Sequence, residues 1–287
     1  MDKWIKCIAK GGNIQATAIS AHGLIETARL KHNLGVQEIT ALGESMLASL
    51  LLASTCRQGE RINLSVKGDH FLKQVIVDAY PSGIVRGFID TRKSFPELDT
   101  SKGPWQNGLL YVMRIKTDQK DPYIGIVPNV TGHLAKDVTY YLSQSEQIPS
   151  AVGLVVNVNS EKKVTSAGAF LVQVMPGATM QEIKMIENNI NSMGALASKL
   201  VENENPTVLL GQVFNDMIFT LLEERPLRFE CSCSRDRVKE ALMLFGIAEL
   251  SDIIQKEGGT TVHCDFCSQD FKFNVTELEE IIRNVKK

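Results

Sequence analysis

The chain has no excess of one charge. Thirty-one Lys and Arg against 33 Asp and Glu leave a formal net charge of −2 over 287 residues. No long basic block occurs, so the usual electrostatic ground for binding nucleic acid or an anionic membrane is missing. The opening stretch MDKWIKCIAKGG lacks the apolar core of a signal peptide. The longest apolar stretch, around Met46 to Ala53, is interrupted by Ser49, follows Glu44, and is too short to span a bilayer. We therefore expect a soluble, cytoplasmic protein with no nucleic-acid and no membrane partner. No Ser-His-Asp pattern, phosphate-binding loop or dinucleotide fingerprint stands out. Gly11-Gly12 lacks the strand and downstream carboxylate that a dinucleotide site needs. Repeats and low-complexity tracts are absent too. These absences point to a non-enzymatic protein.

Cysteine is scarce, and its placement is informative. Of six cysteines, Cys7 and Cys56 stand alone and read as small buried side chains. The other four lie near the C-terminus: Cys231 and Cys233 in FECSCSRDRV, Cys264 and Cys267 in VHCDFCSQDF. Each pair is a short chelating bite, and two bites supply the four thiolates of a tetrahedral zinc site. Four sulfurs leave no open position for a substrate water, so a hydrolytic zinc is excluded and His263 is not needed as a ligand. In a reducing compartment such a cluster reads as metal-binding or redox-active rather than as a disulfide framework.

The length suggests about two domains. Residues 1–178 read as an α+β domain. Ile62–Lys67, Lys73–Ala79, Ile84–Thr91, Leu109–Lys116 and Val152–Val158 are strand candidates, some separated by turn signals such as Lys67-Gly68-Asp69 and Pro81-Ser82-Gly83. Glu38 to Thr55, rich in Ala, Leu, Ser and Gly, predicts a helix packed on a sheet. Asp137 to Ser145 predicts a shorter one.

Residues 179–226 read as a helical connector. Thr179 and Glu182 form a capping box. Met180, Ile183, Ile186, Ile190, Met193, Ala197 and Leu200 then recur at spacings of three and four, one apolar stripe. Asn205-Pro206 opens a second helix, expected to run through Val213, Met217, Ile218 and Leu221 to Pro226. Met175, Met180, Met185, Met193 and Met217 cluster here, and methionine suits surfaces that fit many partners as well as plain gap-filling. Neither helix forms a domain alone, so their apolar faces must rest on something.

Residues 227–287 read as a small zinc module. Ser234 caps a helix that Gly246 stops, strands flank the second cysteine pair, and Thr276 with Glu279 opens a last helix. Arg235, Arg237 and Lys272 lie close enough in sequence to offset the site's negative charge. A module this small buries little core, so metal binding is folding energy for it. If the sulfurs were oxidised, the metal would be expelled and the module would unfold. Connector helices resting on it would then expose their apolar faces. A purely structural zinc site stays open at this point.

The whole chain resembles one family. FECSCSRDRV and VHCDFCSQDFKF are similar to the cysteine motifs of the redox-regulated heat-shock holdases, the thirty-three-kilodalton heat shock protein family. So are ITALGE at residues 39–44, VRGF at 85–88, YIGIVPNVTGHLAKDVTYYLSQSEQIPSAV at 123–152 and AGAFLVQVMPGA at 167–178. Phe271 departs from the pattern, where an aromatic with a hydroxyl is common. The resemblance implies an ATP-independent chaperone that prevents aggregation of unfolding proteins under oxidative stress. It implies one Zn2+ held by Cys231, Cys233, Cys264 and Cys267 in an inactive reduced form. Activation then proceeds through disulfides Cys231–Cys233 and Cys264–Cys267, with zinc release and unfolding of the module and connector. It implies a homodimer when oxidised and transfer of clients to ATP-dependent chaperones. Met180, Ile183, Ile186, Ile190, Met193 and Met217 become candidate client-binding residues.

Two other classes are weighed. A nucleic-acid-binding zinc module needs a basic face, yet residues 225–287 carry ten Lys and Arg against eleven Asp and Glu. A thiol–disulfide oxidoreductase places its C-x-x-C where a helix opens after a strand. Here strands are expected on both sides of Cys264–Cys267.

Overall fold

A computed structural model of the chain describes residues 1–92, 103–117, 121–194, 205–215 and 217–285. The chain divides into two compact units, Met1–Phe229 and Glu230–Lys287. The architecture is α+β, as the sequence predicts.

The first unit is built on two sheets. The first has the order β10 (Phe219–Pro226), β1 (Lys3–Ala9), β2 (Ile14–Ser20), β9 (Val164–Val174), β8 (Ser150–Val158), antiparallel throughout. The second has the order β11 (Arg228–Phe229), β5 (Ile84–Thr91), β4 (Leu72–Ala79), β3 (Glu60–Lys67), β6 (Leu109–Lys116), β7 (Tyr123–Pro128). Only the short β11–β5 pair is parallel. Gly11 and Gly12 sit at the β1–β2 turn with φ of +116° and +79°, a backbone shape that suits glycine. That turn accounts for the glycine pair.

Three helices contribute to the core beside these sheets: α1 (His22–His32), α2 (Val36–Ala53) and α3 (Leu134–Gln144). From Ile39 to Ala53 nearly every residue of α2 is buried. By length and composition this helix is apolar enough to cross a membrane, but most of it lies inside the protein. Its small residues are explained by packing on both sides. A Cβ on Gly43 would lie 2.9 Å from Ile25 and from Val156. Ser45 and Ser49 satisfy their buried hydroxyls on the carbonyls of Ala41 and Ser45, both at 2.7 Å.

The other face of the first sheet is covered by α4 (Met180–Ser192) and α5 (Pro206–Phe214). Ile186, Met193, Leu210 and Phe214 join Ile5, Ile14, Phe170 and Val172 in a second apolar core. The connector's apolar stripe therefore rests on a sheet of the first unit. The capping box forms as predicted: Glu182 N donates to Thr179 Oγ1 at 3.2 Å and Thr179 N donates to Glu182 Oε2 at 2.8 Å. Asn205 caps α5, with Pro206 in its first turn. Ala197 and Leu200 lie outside the described residues.

The second connector helix is shorter than expected. It ends at Phe214, Asn215 takes φ of 46°, and Phe219–Pro226 is a strand. The stripe Val213, Met217, Leu221 reads as helical, but β1 offers a row of unpaired backbone groups. Pairing from Lys3–Pro226 to Ala9–Phe219 satisfies them. Strand β9 carried no alternation to read, because nearly all of it is buried on both faces.

The second unit contains α6 (Arg235–Met243), α7 (Ile247–Glu257), a hairpin of β12 (Gly259–Cys264) and β13 (Gln269–Asn274), and α8 (Val275–Val285). Its core is small: Leu242, Leu250, Phe271, Phe273, Leu278 and Ile281. Gly246 not only follows α6 but precedes the unpredicted α7 as its N-cap. The last capping box uses Asn274 and Glu277 rather than Thr276 and Glu279. Asn274 N donates to Glu277 Oε2 at 3.1 Å, and Glu277 N donates to Asn274 Oδ1 at 3.0 Å. The strand runs on to Asn274, so the helix starts two residues earlier than the Thr276 signal implies.

Candidate metal centre

Two local structures bring the sulfurs together. Cys231 and Cys233 lie on an extended segment held open by Ser234, whose hydroxyl accepts from Arg237 N at 3.2 Å to start α6. An extended C-x-C segment aims both sulfurs the same way, whereas residues two apart on a helix point to nearly opposite sides. Cys264 ends β12, and the chain turns tightly there. Cys267 N and Ser268 N both donate to Cys264 O, at 3.2 and 2.8 Å, and Ser268 adopts φ of 58°. This knuckle aims Cys264 and Cys267 the same way.

The four Sγ atoms all lie within 4.8 Å of one another. Cys231 and Cys264 are 3.8 Å apart, and Cys233 and Cys267 3.4 Å. Tetrahedral ligation with Zn–S of about 2.3 Å requires sulfurs about 3.8 Å apart. The donor set therefore fits zinc in number, type and spacing. Burial, then hydrogen bonds from neighbouring sulfurs, push the thiols of Cys233 and Cys264 above the ordinary thiol range. Four thiolates at this spacing are stable only around a cation. All four side chains are partly buried, which suits a site that is shielded yet reachable by a small oxidant.

The basic residues nearby act by tying the chain together. Arg235 Nη2 donates to Lys272 O and to Glu277 Oε1, both at 2.6 Å, and its guanidinium lies 4.4 Å from the Phe273 ring centroid. Arg237 Nη1 donates to Ser232 O at 2.8 Å and to Ser232 Oγ at 2.7 Å. Arg235 thus links the first cysteine segment to β13 and α8. The sequence marks it only as a nearby charge, since its partners lie 37 and 42 residues away. His263 pairs with Asp270 at 2.7 Å across the hairpin and is not one of the clustered ligands.

The candidate client-binding residues are gathered on or beside α4 but largely covered. Ile186 and Met193 are buried against the first sheet, with Ile190 and Met217 packed beside them. Ile183, Ile186 and Ile190 line a crevice of about 140 Å³ over Val172 and Val174. Met180 alone is well exposed, at 69%.

The fold and site define an α+β protein with a small C-terminal unit whose four clustered cysteines could hold a metal ion. Residues 2–274 match the family described as Hsp33 protein. The chain is 35% identical over 292 residues to the 33 kDa chaperonin of Streptococcus thermophilus strain CNRZ 1066, spanning 99% of this chain and 100% of that one. It is 34% identical to the 33 kDa chaperonin of Streptococcus pyogenes serotype M12 strain MGAS2096, over 99% of both chains. The crystal structure of the 33 kDa chaperonin, an Hsp33 homologue, from Thermotoga maritima superposes with a TM-score of 0.89, 28% identity and 99% coverage of both chains. This chain belongs to the Hsp33 family, a family of chaperones.

Proposed function

We propose that this chain is a cysteine-switched, ATP-independent holdase. Cys231, Cys233, Cys264 and Cys267 are the switch, and their convergence within 4.8 Å is the observation that carries the reading. Zn2+ held there supplies the positive charge that keeps four sulfurs ionised and close. Disulfides Cys231–Cys233 and Cys264–Cys267, the pairing that the family resemblance implies, remove the thiolates that hold it. Each hydrogen peroxide accepts two electrons from one cysteine pair. One S–S bond forms, the O–O bond breaks, and two waters leave once two protons are taken up.

The six-residue apolar core of the second unit then loses its staple. In this reading residues 227–287 and the connector 179–226 unfold while residues 1–178 remain folded. Ile183, Ile186, Ile190 and Met193 reach a client only if α4 leaves the first sheet, because they now face it, and Met217, beyond α5, is packed against the same core. Unfolding proteins are the clients. A homodimer of the oxidised form and ATP-dependent chaperones downstream complete the expected partners, and the cytoplasm is the expected compartment.

The reading makes the chain a binding protein rather than an enzyme. Cys264–Cys267 sits on a hairpin turn and does not open a helix, unlike the oxidoreductase arrangement. Light scattering of a heat-unfolding client tests the proposal. Only the peroxide-treated form is expected to suppress aggregation. Equal suppression by the reduced, zinc-loaded form would show a constitutive chaperone with a structural zinc. Turnover in an insulin-reduction assay without suppression would favour the oxidoreductase.

A further inference from the structure

A cavity lies in the first unit. Positions 36, 37, 40, 41 and 44 of α2 fall on one helical face. Val36, Gln37, Thr40, Ala41 and Glu44 there meet His70, Phe71, Leu72 and Pro104 around a cavity of about 430 Å³. That volume lies in the range of small-molecule sites, and the lining is mainly apolar with a few polar groups, as such sites are. Glu44 carries the argument. Among the described residues its side chain has no hydrogen-bond or ion-pair partner and no cation facing it. Burial alone raises its carboxyl to about 7. Among the described lining residues His70 is the only other titratable group. A partly buried carboxylate that opens onto a cavity, with no partner among the described residues, suits a ligand of opposite charge.

We propose that this cavity binds an organic cation, a protonated amine carried on an apolar body. The apolar part would lie against Val36, Ala41, Phe71 and Leu72. The ammonium would meet Glu44, the one acidic group among the described lining residues. Anionic ligands are repelled, and neutral ligands gain only a hydrogen bond. The cation is a free amine or a lysine side chain within a polypeptide. Nothing in this proposal depends on the cysteine switch.

Calorimetric titration of the full-length reduced protein with tryptamine and with tryptophol tests it, since the two probes differ mainly in the charged group. At pH 8 tryptamine is expected to bind about tenfold more tightly or better. The preference should shrink as pH falls below 7 and Glu44 takes up a proton. Glu44→Gln keeps the shape and should abolish the preference while leaving the weak tryptophol affinity. An acetylated, amidated tripeptide with lysine between leucine and phenylalanine separates the sources. Binding of the peptide at least as tightly as tryptamine assigns the site to polypeptide lysines, and binding of tryptamine alone assigns it to free amines. Equal affinities for tryptamine and tryptophol, a preference that survives Glu44→Gln, or no binding of any probe would overturn the proposal. Because client aggregation is not part of this readout, its failure is distinct from failure of the holdase reading.

Discussion

Glu44 makes the fold pH-dependent in a direction that can be worked out. Its carboxyl titrates near 7 in the folded chain and near 4.5 when unfolded. Below about 4.5 both states are protonated and the residue costs nothing. As pH rises toward 7 the unfolded chain ionises first, so stability falls, and above 7 the penalty is complete. Glu44→Gln removes it, and should stabilise the first unit by about 1–3 kcal/mol at pH 8, since the side chain is only partly buried, but not at pH 4. Urea midpoints of the two variants at both pH values check this. The two lone thiols are held protonated by burial. Burial raises Cys7 to about 12 and Cys56 to about 11, even with Arg114 Nη1 at 3.2 Å from the Cys56 sulfur. Both should resist iodoacetamide at pH 8 in the native protein, as peptide mapping would show. Arg235→Ala should cost the second unit roughly 1–2 kcal/mol, because its ion pair is partly exposed and its ring contact is modest. A chromogenic zinc chelator should then register several-fold faster metal release under peroxide. Arg235→Lys should restore little of this, since an ammonium cannot bond Lys272 O and Glu277 while stacking on Phe273.

At the scale of elements, α4 is the piece whose attachment matters. Its cap is complete, but its hold on the sheet rests on Ile186, Met193 and a few partly buried neighbours, with the crevice beneath left unfilled. Ile186→Ala should cost about 2–4 kcal/mol of local stability. Hydrogen exchange of the α4 amides should speed up while α2 stays protected. If α4 covers the client surface, the same variant should suppress client aggregation partly even when reduced. Unchanged scattering by a variant with freed α4 amides would remove α4 from the client site. The helix starts here were readable because caps are local: Thr179–Glu182, Asn205–Pro206 and Ser234 hold as the sequence implies. The end of α5 was not, because a partner strand 210 or more residues away decided it. Leu221 pairs with Cys7 and Phe219 with Ala9.

At the scale of the molecule, the two units differ in how much apolar core they own. The first has two extensive clusters, one on each side of its first sheet. The second has six fully buried apolar residues. Metal binding contributes about 10–16 kcal/mol to folding in comparable zinc modules, more than such a core supplies. Treating the reduced protein with a strong zinc chelator should therefore abolish exchange protection in residues 230–287 while the strands between residues 60 and 174 keep theirs. Mass spectrometry of the peroxide-treated protein would read the disulfides. Linkages within each cysteine pair agree with the proposed switch. Linkages between Cys231 and Cys264 or Cys233 and Cys267, whose sulfurs lie 3.8 and 3.4 Å apart here, would contradict it.

What the sequence determined by itself is everything whose physics spans a few residues. The C-x-C and C-x-x-C bites, the helix starts, the strands with clear alternation and the lack of a basic face all depend on neighbours in the chain. Only the tertiary structure decided that α2 would be buried on both sides, that the connector stripe would lie on the first sheet, and that Phe219–Pro226 would pair with β1. It also decided that Arg235 would reach Phe273 and that Glu44 would be left facing a cavity. Those outcomes turn on which distant surface is available to cover an apolar face or satisfy a backbone group, and periodicity within a segment carries no record of that.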